Sequence, residues 1–126
     1  MLVLDSGAIT RLAERSRPAA ALIRALRAEG LWPPLVATVS LVESLTGDSG
    51  KDANTNRFLK TCNIAERLSE GVARRAAFLR TRARKGSAVD AIVVAMAEPG
   101  GTVLTSDVED LRAIASRADD VTVEGI

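Results

Sequence analysis

Residues 87–107 read Ser87-Ala88-Val89-Asp90-Ala91-Ile92-Val93-Val94-Ala95-Met96-Ala97-Glu98-Pro99-Gly100-Gly101-Thr102-Val103-Leu104-Thr105-Ser106-Asp107. The spacing predicts a helix from Ser87 to Glu98, stopped by Pro99-Gly100-Gly101. Asp90 stands nearly alone among apolar neighbours, and a helix apolar on every side is a buried one. Thr102-Val103-Leu104-Thr105 then reads as a short strand, and a further helix runs from Asp107 to Arg117. A buried helix turning tightly into a buried strand is the unit from which parallel sheets covered on both faces are built.

The rest of the chain repeats that alternation. Leu2-Val3-Leu4 is a first strand, followed by a short helix from Gly7 to Arg15. A second helix starts near Pro18, a good first-turn residue, and runs to Glu29, with Gly30 as its stop. After the connector Trp32-Pro33-Pro34, residues Leu35 to Val39 form the second strand. Ser40 opens a helix ending near Gly47, Asp48 to Asp52 is a polar turn, and Lys51 to Lys60 is another helix. Cys62 to Ala65 is a weak third strand. A long helix from Ser69 to Arg84 carries Val72, Ala76, Leu79 and Ala83 on one face and ends at Gly86, and Val121 to Val123 is a last strand. Right-handed crossovers are the rule for such connections.

The chain has 126 residues, a size that suits one α/β domain over 1–126 with one core, and 47% of them are hydrophobic, too many for disorder. There is no histidine, so triads, two-histidine ribonucleases and most zinc hydrolases are excluded. The single Cys62 forms no internal disulfide and no metal cluster. Hydrolysis by this chain therefore rests on carboxylates, hydroxyls, Lys or Arg, and carboxylates are hard ligands suited to Mg²⁺ or Mn²⁺. The N-terminus is charged too early for a signal peptide, and no apolar run reaches the roughly 18 residues of a membrane span, so a soluble, cytoplasmic protein with no membrane partner is expected. Net charge is +1, but Arg67, Arg74, Arg75, Arg80, Arg82, Arg84 and Lys85 crowd one stretch opposed only by Glu70, which suggests an anionic partner.

Four acids are expected at one rim. Asp5 follows the first strand and Asp107 the fourth, at the carboxyl edge where open α/β sheets bind ligands. Glu43 lies in the helix after the second strand. Asp90 lies in the first turn of a helix that runs antiparallel to the strand it feeds, which brings it back to the same edge. Ordinary capping explains each position too. Ser40-x-x-Glu43 and Ser87-x-x-Asp90 fit capping boxes, Asp107-x-x-Asp110 is a looser one, and Asp5 or Ser6 can cap the first helix. Two physical points favour a site. A carboxylate on a buried helix is costly unless paired or metal-bound. And two carboxylates about 4 Å apart repel by roughly 4 kcal/mol at an effective dielectric of 20, so a cluster calls for a cation.

These residues resemble the PIN domain, specifically the VapC-type toxins of bacterial type II toxin–antitoxin pairs. The matching pieces are Leu2-Val3-Leu4-Asp5-Ser6, Ser40-Leu41-Val42-Glu43, Ala88-Val89-Asp90-Ala91 and Val103-Leu104-Thr105-Ser106-Asp107-Val108-Glu109-Asp110-Leu111, in order and over the whole chain. The resemblance implies a three-layer α/β/α fold whose parallel sheet has the order 3-2-1-4-5. It implies a Mg²⁺- or Mn²⁺-dependent endoribonuclease acting on transfer or ribosomal RNA, a cognate antitoxin that silences it, and a homodimer. In that frame Asp5, Asp90 and Asp107 hold the metal, and Glu43 binds it through water or helps to deprotonate that water. Asp110 supports a second metal or, with Thr105 and Ser6, orients the carboxylates. Arg75, Arg82, Arg80 and Arg84 are the candidate phosphate contacts, with a solvated helix face as the plain alternative.

Two other classes compete. A non-catalytic PIN-like binding module typically lacks one or more of the acids, and here all are present. A phospho-acceptor receiver domain usually has an acidic pair after the first strand and a Lys after the last, and this chain shows neither. A phosphatase with an Asp-x-Asp nucleophile is disfavoured because Asp5 is followed by Ser6-Gly7.

Overall fold

In the computed structural model, which describes all residues from Met1 to Ile126, five short runs pair into one parallel sheet. They are β1 (Leu2–Leu4), β2 (Leu35–Ala37), β3 (Asn63–Ala65), β4 (Thr102–Thr105) and β5 (Thr122–Gly125), in the order β3-β2-β1-β4-β5. Leu4 stands opposite Val36 on one side and Leu104 on the other, so β1 is the central strand. All three of its residues are buried, as a strand covered on both faces requires.

The two-residue period of the strands divides the core. Leu2 and Leu4 face one way, with Val36 and Leu104. There they meet α1 (Ser6–Ala13), α2 (Arg17–Ala28) and α4 (Ala53–Leu59), with the short α3 (Thr38–Ser44) at the margin. Val3 and Val103 face the other way, onto α5 (Glu70–Ala83), α6 (Ala88–Ala97) and α7 (Val108–Ala115). The architecture is the expected three-layer α/β/α sandwich with the expected strand order. No helix is long and apolar enough to cross a membrane.

Most helix ends follow their local signals. Ser16 caps α2, Pro18 sits in its first turn, and Gly30 leaves it with φ 74°. The largest departure from the sequence expectation lies where β2 meets α3. β2 ends at Ala37 and α3 begins at Thr38, so Val39 and Ser40 are helical. The β-branched Thr38 and Val39 favour a strand by propensity, but packing overrides a preference of that size. Ser40 therefore caps nothing. Its side chain is wholly buried and its hydroxyl finds no partner. α5 closes at Arg84 as expected, with Arg84 itself in the left-handed region (φ 57°) two residues before Gly86 (φ 85°).

Candidate active site

Asp5 is held where β1 gives way to α1. Its N–H still donates to Leu104 O (3.2 Å), which ties it to β4. Its side chain then turns back to cap the helix, with Oδ1 accepting from the Ala8 N–H at 2.8 Å. Oδ2 accepts from Thr105 Oγ1 at 2.5 Å. Thr105 is fully buried at the end of β4, and its hydroxyl also accepts from the Asp107 N–H at 2.9 Å. The neighbouring strands β1 and β4 thus deliver Asp5 and Thr105 to each other and lock them.

Asp5 is only 8% exposed. Burial raises its pKa, the hydrogen bonds from Thr105 and Ala8 act the other way, and the negative charges of Asp90 and Glu43 push it up again. The net direction is upward. Three acids from α1's cap, α3 and α6, distant in sequence, therefore share one electrostatic neighbourhood.

Asp90 reaches that neighbourhood from the first turn of α6. The capping box is real: Ser87 Oγ accepts from the Asp90 N–H and Asp90 Oδ2 accepts from the Ser87 N–H, both at 3.0 Å. Asp90 is half-buried, less enclosed than its apolar helix implied, because the helix N-terminus emerges at the rim. Glu43 arrives by a different route from the one its spacing suggested. With α3 starting at Thr38, Glu43 lies near the end of that helix, is exposed, and forms no capping box with Ser40.

Asp107 is the N-cap residue of α7 but makes no side-chain cap bond, so the Asp107-x-x-Asp110 box does not form. Its backbone is fastened to Thr105 and its side chain is exposed. Asp110, half-buried in the first turn of α7, acts electrostatically on Lys85, whose ammonium pairs with Glu109 at 2.6 Å and is raised in pKa mainly by that bond. Ser6 starts α1, and no carboxylate takes a hydrogen bond from its hydroxyl. Of the two hydroxyls expected to orient carboxylates, Thr105 does so here and Ser6 does not.

The convergence is looser than the sequence suggested: no three acidic side chains stand close enough to hold one ion jointly. Like charges on separate elements lower their energy by standing apart. The donor chemistry nevertheless suits Mg²⁺, which takes oxygen ligands, usually keeps several waters and needs only one or two carboxylates. Asp5 and Asp90 are the residues that would hold it, with Glu43 close enough to act through a bound water, because the charges of Asp90 and Glu43 both act on Asp5.

Two glycines at the site escaped sequence reasoning. A Cβ on Gly7 would stand 2.1 Å from Ser106 Oγ and 3.5 Å from Asp5 Oδ1, so its absence lets the β4–α7 loop close over Asp5. A Cβ on Gly86 would stand 2.6 Å from Ile114 Cδ1 and 3.4 Å from Asp90 Oδ2. The only signal was their place, directly beside Asp5-Ser6 and Ser87. A second buried carboxylate, Asp52, serves the fold instead. It accepts from Thr46 N, Thr46 Oγ1 and Gly47 N, which lowers its pKa and braces the polar turn.

The arginines divide sharply. Arg75 is engaged by Glu98 through two bonds of 2.8 and 2.7 Å, with Asp119 at 3.8 Å, and is a structural ion pair rather than a free phosphate contact. Arg80 donates to Gly86 O at 3.2 Å. Arg82 lies over the exposed Phe78 ring at 4.8 Å, and Arg84 is exposed.

No family model matches this chain, and no curated protein sequence does. Among solved structures, a chain in the structure of FitAB bound to an IR36 DNA fragment is similar to it, with a TM-score of 0.66 at 21% identity, over 99% of this chain and 94% of that one. The shared feature is the fold, and the fold is PIN-like.

Proposed function

We propose that this chain is a Mg²⁺-dependent endoribonuclease, a VapC-like toxin that works in the cytoplasm as a homodimer and is silenced by a cognate antitoxin. The observation that carries the reading is Asp5: a buried carboxyl at the carboxyl edge of the central strand, fixed by Thr105 and facing the charges of Asp90 and Glu43. The PIN-like fold and its likeness to a chain of FitAB support the same reading.

When bound, a divalent cation supplies an acidified water and polarises the scissile phosphate. Thr105 keeps Asp5 Oδ2 in one orientation, so the carboxylate presents a fixed face to the rim. The Ser87 box does the same for Asp90, leaving its other oxygen free to coordinate. Exposed Glu43 is the side chain best placed to exchange protons with solvent, and Asp107 and Asp110 flank the opening on α7. RNA, transfer or ribosomal, is the substrate, and hydrolysis leaves a 5′-phosphate and a 3′-hydroxyl.

The test is cleavage of cellular RNA by the isolated chain with Mg²⁺, against EDTA and against Asp90→Asn. Asn retains an acceptor for the Ser87 N–H, so the fold persists while activity falls by about a hundredfold, the scale at which metal sites respond to a lost partner. Full activity in EDTA, or in Asp90→Asn, sinks the metal-dependent reading.

A further inference from the structure

The turn that joins α5 to α6 carries a second feature, which the acid site does not use. Arg80, Thr81, Arg84, Lys85 and Gly86 line one cleft, and Thr81, Arg82, Ala83, Arg84 and Arg117 line the next. The two share Thr81 and Arg84, so they form one continuous basic surface. Only Ala83 among the lining residues is apolar. Lys85 is neutralised by Glu109, but Arg80, Arg82, Arg84 and Arg117 take part in none of the molecule's ion pairs, which involve Arg74, Arg75 and Lys85. Arg84 sits at the shared wall in a left-handed conformation (φ 57°), which a non-glycine residue seldom adopts. The surface ends at the acid rim, because Gly86 lines the cleft and abuts the Asp90 carboxylate.

We propose that this double cleft is the entry track for a single-stranded RNA backbone, with Arg84 and Arg117 as phosphate contacts that feed the strand past Gly86 to Asp90. The ligand class follows from the lining. Unpaired guanidinium groups grip phosphodiesters through charge and paired N–H donors, and such contacts position a strand without reading its sequence. A protein segment would need apolar pockets for its anchors, and a cleft with one alanine offers none. The identity of the ligand as RNA rests on the nuclease reading above, while the phosphate contacts do not depend on hydrolysis.

The experiment is therefore binding of a fluorescent 12-nucleotide oligouridylate to the full chain in EDTA, by anisotropy, over a series of salt concentrations. R84Q/R117Q is expected to weaken binding about tenfold and to flatten the log–log salt slope by about 1.4, the value for two phosphate contacts on a single strand. R84K/R117K, which keeps the charges, should restore most of both. R17Q/R24Q, which removes two exposed arginines from α2, should change little. The track is overturned if R84Q/R117Q binds like the unaltered protein, or loses no more than R17Q/R24Q. A glutamate-rich peptide of equal charge that binds as tightly, with the same dependence on Arg84 and Arg117, overturns it in favour of a protein partner. Because no cleavage is measured, an inactive protein that still shows this binding pattern refutes the nuclease alone, and an active protein without it refutes the track alone.

Discussion

Asp5 concentrates the chemistry of the molecule in one side chain. It caps a helix, anchors to Thr105 and faces two other acids, so its roles in folding and at the rim cannot be separated by deleting it. They can be separated by charge. Asp5→Asn keeps an oxygen for the Ala8 N–H and gains an amide to meet Thr105 Oγ1, which still has Asp107 O as an acceptor for its own proton. The folded pKa of Asp5 lies above its ordinary value, so the folded state binds this proton more tightly than the unfolded chain does. Below the unfolded pKa the group is protonated in both states and costs nothing. As pH rises through the folded pKa, ionisation becomes a penalty that the Asn variant escapes. Without divalent ions, Asp5→Asn should therefore be more stable than the unaltered chain at neutral pH, and the gap should close on acidification below the ordinary carboxylate range in urea titrations. A gap that widens on acidification would mean that hydrogen bonding, not burial and repulsion, dominates at Asp5.

At the scale of elements, legibility followed the range of the forces involved. The ends of α6 were plain in the sequence because caps and breakers act locally: Ser87 and Asp90 form the box that their spacing announced, and Pro99-Gly100-Gly101 ends the helix as expected. The start of α3 was not. Thr38 and Val39 carry strand propensity, yet they lie in the helix, and Ser40 points inward instead of capping. Glu43 reached the right neighbourhood from the wrong turn, because the rim is set by where α3 packs rather than by its first residues. Arg75 was misjudged for a related reason: its partner Glu98 lies 23 residues away, just past the end of α6, beyond any local pattern. The helix-to-strand corner after α6 offers the sharpest stability test. A Cβ on Gly101 would lie 2.4 Å from the Ala97 carbonyl oxygen, which accepts the Gly101 N–H at 2.8 Å. Gly101→Ala should cost about 1–3 kcal/mol by overpacking. A midpoint in urea unchanged from that of the unaltered chain would show that the corner relaxes freely.

For the molecule as a whole, the alternation of apolar runs and helices made a parallel sheet covered on both faces legible, whereas the strand order was given by the family resemblance and not by the pattern. The order β3-β2-β1-β4-β5 then has a functional consequence. The direction of winding across the sheet reverses between β1 and β4, and a doubly wound sheet opens a crevice at such a point. Asp5 and Thr105 stand at its floor, with α3, α6 and α7 bringing acids to its walls. The sequence could not say how tightly those walls close, because side-chain repulsion depends on distances that no spacing encodes. A rim of mutually repelling carboxylates makes the fold responsive to cations, since an ion that binds only the folded state stabilises it by mass action. At a hundred times its dissociation constant, Mg²⁺ should add about 2.7 kcal/mol, on the order of 10 °C in melting temperature for a chain of this size. Asp5→Asn and Asp90→Asn should each lose most of that rise, whereas R84Q/R117Q should keep it, because the basic track lies outside the acid cluster. Thermal melts at matched ionic strength, with Mg²⁺ replaced by monovalent salt as the control, distinguish a bound ion from general screening. An equal rise in Asp5→Asn would place the cation elsewhere and leave the crevice without its metal.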